Sequence, residues 1–466
     1  MGMAEFVIIG GGPGGISAAI EAAKAGLTVT VLDENDRIGG QIYRQLEKGF
    51  KVDDLNIMGK DYKKGLELCR QFEELKGKII YLNNATVWGI FNNRTIAFAR
   101  NGSSERLQFE KLLIAAGAYD RPVPFPGWTL PGVLTAGGAQ KLVKTERVIP
   151  GKKILLAGTG PLQLVLANQL LQAGCEIAAI LEAGEIKNNW LKLIKGMWGN
   201  WEYMADGLIY LHHIKKAGIP LLRNHIITEA RGDNQVEAVV VAKVDKDWRP
   251  IFGTKQTIKV DSVCLGYGLV TSSELTSLAE CEHEYENAWG GYVPVRTETM
   301  ETTVQGIYAV GDGARVAGSK VAIEEGRIVG IVIANALGYV SDEKKWVIVK
   351  ESKKSIDKYN RLRKVLDEIS RPRPGLYELA KNETIICRCE DVTFREIHAA
   401  MSKEGSKAKD IKRTTRLGMG SCGGRMCGPT IIELLKNKSG SDSRSPENLT
   451  PRPPVKPVPI GVLSGE

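Results

Sequence analysis

The chain has 466 residues, 43% of them hydrophobic and 25% charged. That is the composition of a folded protein of about two to four domains, and it excludes disordered and fibrous classes. Its net charge of +9 comes without a nucleic-acid motif and with lysines spread along the chain, so no nucleic-acid partner is expected. No apolar run approaches the roughly 18 residues of a membrane span. Met1 to Ile20 has no basic start and is broken by glycines, unlike a signal peptide, so a cytoplasmic protein is expected.

Phe6 to Ile9 is a short apolar run, as in a buried parallel strand. Gly10-Gly11-Gly12-Pro13-Gly14-Gly15 follows, and Ile16 to Ala25 reads as a helix. Gly10, Gly12 and Gly15 satisfy G-x-G-x-x-G: the first allows a tight turn, the second lets backbone approach a pyrophosphate, and the third lets helix and strand pack closely. Pro13 and Gly14 lie at the helix N-terminus, whose unpaired N–H groups face the phosphates. Leu27 to Leu32 is a second strand ending at Asp33, 23 residues after Gly10. A carboxylate there accepts from ribose hydroxyls, and Glu34 is the next candidate. FAD and NAD share this fingerprint, so the turn alone does not choose between them.

The layout recurs downstream. Lys153 to Ala157 is a strand, Gly158-Thr159-Gly160-Pro161-Leu162-Gln163 a turn, Leu164 to Ala173 a helix, and Ile177 to Leu181 a strand ending at Glu182. Gln163 stands where the third glycine belongs, which pushes helix from strand or alters the approach to a pyrophosphate. Gly158, Gly160, Pro161, Leu162 and Glu182 are the candidate contacts. Three readings stay open: NAD, favoured over NADP by Glu182; another adenine nucleotide such as ATP; or a retained scaffold. Trp190, Trp198, Trp201 and Tyr203 follow, with core packing as their expected role. The five histidines have no metal-ligand spacing and are expected to be packing or surface residues.

Of eight cysteines, Cys69, Cys175, Cys264 and Cys281 are scattered and expected to be free buried thiols. Cys387 and Cys389 form C-x-C, and Cys422 and Cys427 form C-x-x-x-x-C, with 32 residues between the pairs. Four thiolates can hold a [2Fe-2S] cluster, two per iron. Zinc is the alternative, but its ribbons usually show C-x-x-C pairs. Gly418, Gly420, Gly423, Gly424 and Gly428 surround the second pair and let backbone N–H groups donate to sulfur. Phe394 to Ser402 reads as a helix between the pairs.

Gly306-Ile307-Tyr308-Ala309-Val310-Gly311-Asp312 resembles the second FAD motif of glutathione-reductase-like flavoproteins, and Leu112 to Gly117 their strand-to-linker segment. The resemblance implies FAD at the first turn, with Asp312 on the ribityl chain, Gly40, Gln41, Ala116, Gly117 and Gly311 beside it, and the helix Val321 to Ala336 pointing at the flavin ring. No C-x-x-C lies outside the cysteine cluster, so a thioredoxin or glutathione reductase is excluded. The cysteine module resembles the [2Fe-2S] domain of bacterioferritin-associated ferredoxin, although C-x-x-x-x-C departs from that family's shorter second spacing. The whole chain resembles the larger subunit of dye-linked L-proline dehydrogenases, hydrogen cyanide synthase, opine oxidase and D-hydroxyproline dehydrogenase. The matching stretches are Ile38 to Arg44, Ala118 to Pro122, Gly266 to Val270 and the tail Arg452 to Pro459.

The expected fold is therefore α/β: two dinucleotide-binding domains of the glutathione-reductase-like flavoprotein type with a C-terminal bacterioferritin-associated-ferredoxin-like [2Fe-2S] domain. The expected segments are 1–120 (FAD, first part), 121–255 (second nucleotide domain), 256–340 (FAD, second part), 341–376 (helical linker), 377–437 ([2Fe-2S]) and 438–466 (flexible proline-rich tail). The tail is expected to clasp a partner. The resemblance implies an electron-transfer subunit of a heteromeric amino-acid dehydrogenase. Its partners would be a smaller flavin-containing amine-oxidising subunit, with further small subunits and an FMN at a subunit interface also to be considered. A free-standing NAD(P)H-dependent reductase of a ferredoxin-like acceptor and an FAD-retaining scaffold are the alternatives. The sequence identifies no catalytic residue for amine oxidation.

Overall fold

The structure is a computed structural model that describes residues 3–46, 49–50, 60–92, 94–184, 190–402, 407–439 and 448–464. Most of the Ser/Asn-rich stretch at the start of the expected flexible tail lies outside the described residues. The chain forms two units. The first comprises Met1–Ala118, Thr271–Asn360 and Thr450–Glu466; the second comprises Tyr119–Val270 and Arg361–Leu449.

The first unit opens with β1 (Ala4–Ile9), whose last four residues are buried, then α1 (Pro13–Lys24) and β2 (Val29–Leu32). The helix starts three residues before the alanine-rich run suggests. Pro13 fits the first helical turn, where its missing N–H costs nothing. β3 (Ile79–Leu82), β4 (Thr86–Phe91), β5 (Thr95–Arg100) and the 12-residue β6 (Ser103–Ile114) follow. The sheet order is β3-β2-β1-β6-β5-β4. β6 serves two purposes: its first half pairs antiparallel with β5, and its second half runs parallel to β1.

In the second unit, β7 (Val133–Thr135), β8 (Lys153–Gly158), α2 (Leu162–Gln172), β9 (Glu176–Glu182), α3 (Trp201–Lys216), β10 (Leu221–Arg223) and β11 (Ser262–Gly266) form a second parallel sheet with its helices, in the strand order β10-β9-β8-β11-β7. The aromatic stretch ahead of and within α3 is not core. Trp198 is 68% exposed, Trp201 53% and Tyr203 43%; the side chain of Trp190 lies outside the described residues. Only Ile214 of α3 is buried, so composition misleads here: most apolar residues of this helix face outward.

β12 (Ile307–Ala309) returns to the first sheet, parallel to β6, and leads to α4 (Ser319–Ala336). α4 packs closely on α1. A Cβ on Gly326 would stand 2.2 Å from the Gly14 carbonyl oxygen, and one on Gly330 2.5 Å from that of Ala18. α5 (Asp342–Ser370) is one 29-residue helix. The cysteine module contributes α6 (Phe394–Met401), α7 (Ala408–Thr415) and α8 (Gly428–Ser439) to the second unit. Thr393 and Glu396 cap α6 reciprocally. The proline-rich run packs on its own first unit: Val455 is buried among Val87, Ile90, Ile96 and Phe98. No helix among the described residues is long and apolar enough to cross a membrane.

Candidate functional site

Register gathers the first set of candidate residues. Ile9 pairs with Leu32 on one side and Ile114 on the other, and Ile114 pairs with Ala309. The four strands therefore end level, and the loops that leave them start side by side: Gly10, Asp33, Ala115 and Val310. This is the carboxyl edge of a parallel sheet, where ligands bind in open α/β folds. A Cβ on Gly10 would meet the Ala115 carbonyl oxygen at 2.3 Å, and one on Gly15 the Gly10 carbonyl oxygen at 1.9 Å. Gly12 is different: the nearest atom to a Cβ there is Gly40 Cα at 3.8 Å. The first and third glycines are thus demanded by the protein's own backbone. The second leaves room for a ligand.

Asp33 is 6% exposed and ties the turn together. Its Oδ2 accepts from the Gly11 N–H, and its Oδ1 from the backbone and side-chain amides of Asn35 at 2.7 and 2.8 Å. Burial pushes its carboxyl above the ordinary value, with the Asn35 and Gly11 donors opposing. Glu34 is half-exposed and pairs with Lys456 at 2.9 Å. The Gly39–Gly40 loop lies against the turn: Gly39 N–H donates to the Gly11 carbonyl, and a Cβ on Gly40 would sit 2.8 Å from Gly12 Cα. Gln41 is exposed and accepts from Arg44. Gly313 abuts Gly117, which brings the segment Ala116–Gly117 to the Gly311–Asp312 turn. Asp312 Oδ1 accepts from the Ala317 and Gly318 N–H groups at 2.9 and 2.8 Å, just ahead of α4.

Sequence reasoning missed what holds that turn. Glu325 on α4 is 5% exposed. Its carboxylate accepts from the Gly311 N–H at 2.7 Å and from both terminal nitrogens of Arg296 at 3.2 Å. Arg296 also donates to the Ala309 carbonyl at 2.7 Å. This buried ion pair fixes the end of β12 and the start of the Gly311–Asp312 turn together. The only sequence signal is an acid on an otherwise apolar helix face 14 residues beyond Gly311.

The second turn has the same register. Gly158 pairs with Glu182 and with Gly266. Glu182 accepts from the Gly184 N–H at 2.7 Å and the Gly160 N–H at 3.2 Å, and burial pushes its carboxyl up to about 7. Gln163 is 2% exposed, and its Nε2 donates to the Leu181 carbonyl at 3.2 Å. Over the turn lies the end of α5: a Cβ on Gly160 would be 2.9 Å from Ser370 Oγ, and one on Gly184 2.9 Å from the Ile369 carbonyl oxygen. Pro161 and Leu162 start α2.

The four clustered cysteines meet as two pairs, each drawn from both motifs. Cys387 and Cys427 share a thiol hydrogen bond, as do Cys389 and Cys422. Donation from Cys427 lowers Cys387 to about 5 and leaves Cys427 raised. Among the described residues, no three His, Cys, Asp or Glu side chains are placed to hold a single metal ion. Two thiol pairs match the two thiolates per iron that a [2Fe-2S] cluster takes. Backbone N–H groups of Gly418, Cys389 and Glu390 point at Cys387 sulfur, and those of Gly424 and Met426 at Cys422. Gly420 admits no side chain, since its Cβ would stand 2.2 Å from Cys389 Cβ. Leu449 covers Gly418, Gly424 and Gly428 at 3.2–3.3 Å. The module is fastened to the rest of its unit by Trp128, whose indole N–H donates to the Ile385 carbonyl at 2.7 Å. Cys175, Cys264 and Cys281 are buried and Cys69 is half-buried; all four are free.

Residues 4–326 match the pyridine nucleotide-disulphide oxidoreductase family, and residues 385–437 match the BFD-like [2Fe-2S] binding domain. An opine oxidase subunit from Rhizobium meliloti is 33% identical over 99% of this chain and 87% of its own length. Hydrogen cyanide synthase subunit HcnB of Pseudomonas protegens is 30% identical over 98% of this chain and 97% of its own. The crystal structure of L-proline dehydrogenase from P. horikoshii shares the fold with a TM-score of 0.68, at 22% identity over 99% of this chain and 79% of that one. These relatives are of the group to which the glycine turns and cysteine pairs pointed. The chain belongs to the pyridine nucleotide-disulphide oxidoreductase family, as a flavoprotein oxidoreductase that also carries a BFD-like [2Fe-2S] binding domain.

Proposed function

We propose that the chain is the electron-transfer subunit of a heteromeric amino-acid dehydrogenase, with FAD at the first glycine turn and a [2Fe-2S] cluster on Cys387, Cys389, Cys422 and Cys427. The observation that supports this most is the level ending of β1, β2, β6 and β12, which brings the loops of four distant segments to one carboxyl edge. In that site Gly12 and the N-terminus of α1 receive the pyrophosphate, Asp33 the ribose, and Asp312 the ribityl chain. Asp312 can act as a fixed acceptor because its carboxylate is already held by the Ala317 and Gly318 N–H groups. A flavin bound there would accept electrons in pairs and release them one at a time, and a [2Fe-2S] cluster on the four cysteines would carry them singly.

The protein's own contribution is position and electrostatics. Glu325 holds the Gly311 N–H and Arg296 the Ala309 carbonyl, and N–H groups around Cys387 and Cys422 stabilise thiolate charge. The relatives are named as subunits of opine oxidase and hydrogen cyanide synthase, which supports a partner chain in which the amine is oxidised. An FMN at the boundary with that partner belongs to the same proposal. For the second turn the reading is a retained scaffold, because Ser370 of the chain itself lies against Gly160 and Gln163 fills the third glycine's place.

The test is to purify the chain with and without its genomic neighbour carrying a second flavin fingerprint, and to screen amino acids for dye reduction. Proline or a related amine should reduce dye only with the partner present. Rapid flavin bleaching of the isolated chain by NADH would instead favour a free-standing reductase.

A further inference from the structure

The tail meets the first unit at the edge of its cofactor site. Val455 is 6% exposed, packs with Val87, Ile90 and Phe98, and donates its N–H to the Trp88 carbonyl at 3.0 Å. Pro453 lies over Gly89, 3.7 Å from where a Cβ would stand. These contacts anchor the strap without its neighbour Lys456. The Lys456 ammonium reaches the Glu34 carboxylate at 2.9 Å, across 422 residues of sequence, with the two side chains 36% and 50% exposed. Glu34 directly follows Asp33, the acid that ties the first glycine turn through Gly11.

The electrostatics of that corner are demanding. A dinucleotide brings two negative phosphates to the turn, and Asp33 and Glu34 are adjacent carboxylates. Glu34 already raises the Asp33 carboxyl by like charge, as the smallest of the influences on it. An uncompensated Glu34 would repel the ligand over about one Debye length, roughly 8–10 Å. We propose that the C-terminal strap is part of the cofactor site: Lys456 compensates Glu34 beside the first glycine turn and so sets how firmly the chain holds FAD. Lys456 acts through Glu34 as a positioning residue. The inference rests on the reading of the first turn as the FAD site.

The test uses the full-length chain, stripped of flavin and titrated with FAD by the quenching of flavin fluorescence. Lys456→Ala should weaken FAD binding about threefold to fivefold, the range of an exposed ion pair. Lys456→Glu should weaken it further, and the swap Lys456→Glu with Glu34→Lys should recover most of the loss. The differences should shrink at about 0.5 M salt, while the melting temperature of the FAD-free proteins stays level. A wild-type chain that binds FAD, with Lys456→Ala and Lys456→Glu binding it equally well, overturns the inference. Weakened binding with a matching fall in FAD-free melting temperature, unrelieved by the swap, also overturns it, since that is loss of fold. A wild-type chain that takes up no FAD removes the first-turn reading, and the inference with it.

Discussion

The first glycine turn, Gly10–Gly15, and the second, Gly158–Gln163, each leave a parallel strand, and each lends a backbone N–H to an acid at the end of the next strand. Gly11 donates to Asp33 and Gly160 to Glu182. What differs is what faces them. The first turn is met by Gly39–Gly40, backbone on backbone, and the ideal Cβ of Gly12 has no neighbour nearer than 3.8 Å. The second is met by a side chain, Ser370, and carries Gln163 where the first has Gly15. A strand–turn–helix with an acid after it is therefore a fold signal. Whether it is also a binding site depends on residues far away in sequence.

This contrast can be broken at several points. The largest effect is expected at the cysteine module. Cys427→Ser should abolish the iron–sulfur absorbance and the iron content while leaving bound flavin, because the thiols belong to the second unit and the first turn to the other. Next, Glu325→Ala leaves Arg296 buried without its partner and should cost about 3–5 kcal/mol of stability in urea unfolding. It should also release FAD, since Gly311 loses its tether; a variant as stable as wild type would remove Glu325 from the account.

The second turn predicts a pH effect. The Glu182 carboxyl rises from 4.5 to about 7 on folding. A raised carboxyl favours the folded state while protonated, so its contribution is complete below about pH 4.5 and is lost as pH climbs through about 7. The loss is at most ~3 kcal/mol. Glu182→Gln should therefore gain stability relative to wild type between pH 5 and pH 8; parallel stability curves would contradict the burial argument.

Gly12→Ala is expected to fold normally yet bind FAD at least about tenfold more weakly, roughly 1.4 kcal/mol, because only the ligand's approach is obstructed. The smallest expected effect is none: NADH or ATP added to the isolated chain should change neither flavin absorbance nor melting temperature.

Much of this is legible in the sequence, for physical reasons that also explain the rest. Gly15 is required by the Gly10 carbonyl five residues before it, so the local pattern carries it, while Gly10 is required by the Ala115 carbonyl on a distant segment. The cysteine pairs announce themselves because thiolate ligation demands a fixed residue type. Glu325 is hardly legible, since an acid on an apolar helix face, with Glu324 beside it, does not name Gly311 as its partner until the fold sets the two together. Ser370 ends a charged helix and gives no sign of the turn it covers. Lys456 sits in a proline-rich run whose composition suggests a free arm, yet Val455 is buried. Trp198 and Trp201 lie outside the core that their apolarity suggests, because apolarity does not say which way a helix faces.

The most direct measurement is the cofactor content of the purified chain after anaerobic handling and reconstitution. About one FAD at a single site with the two irons of a [2Fe-2S] cluster, and no bound or binding NAD, is the predicted result. A chain that carries no flavin, or that holds a dinucleotide at Gly158–Gln163 and none at Gly10–Gly15, would contradict it.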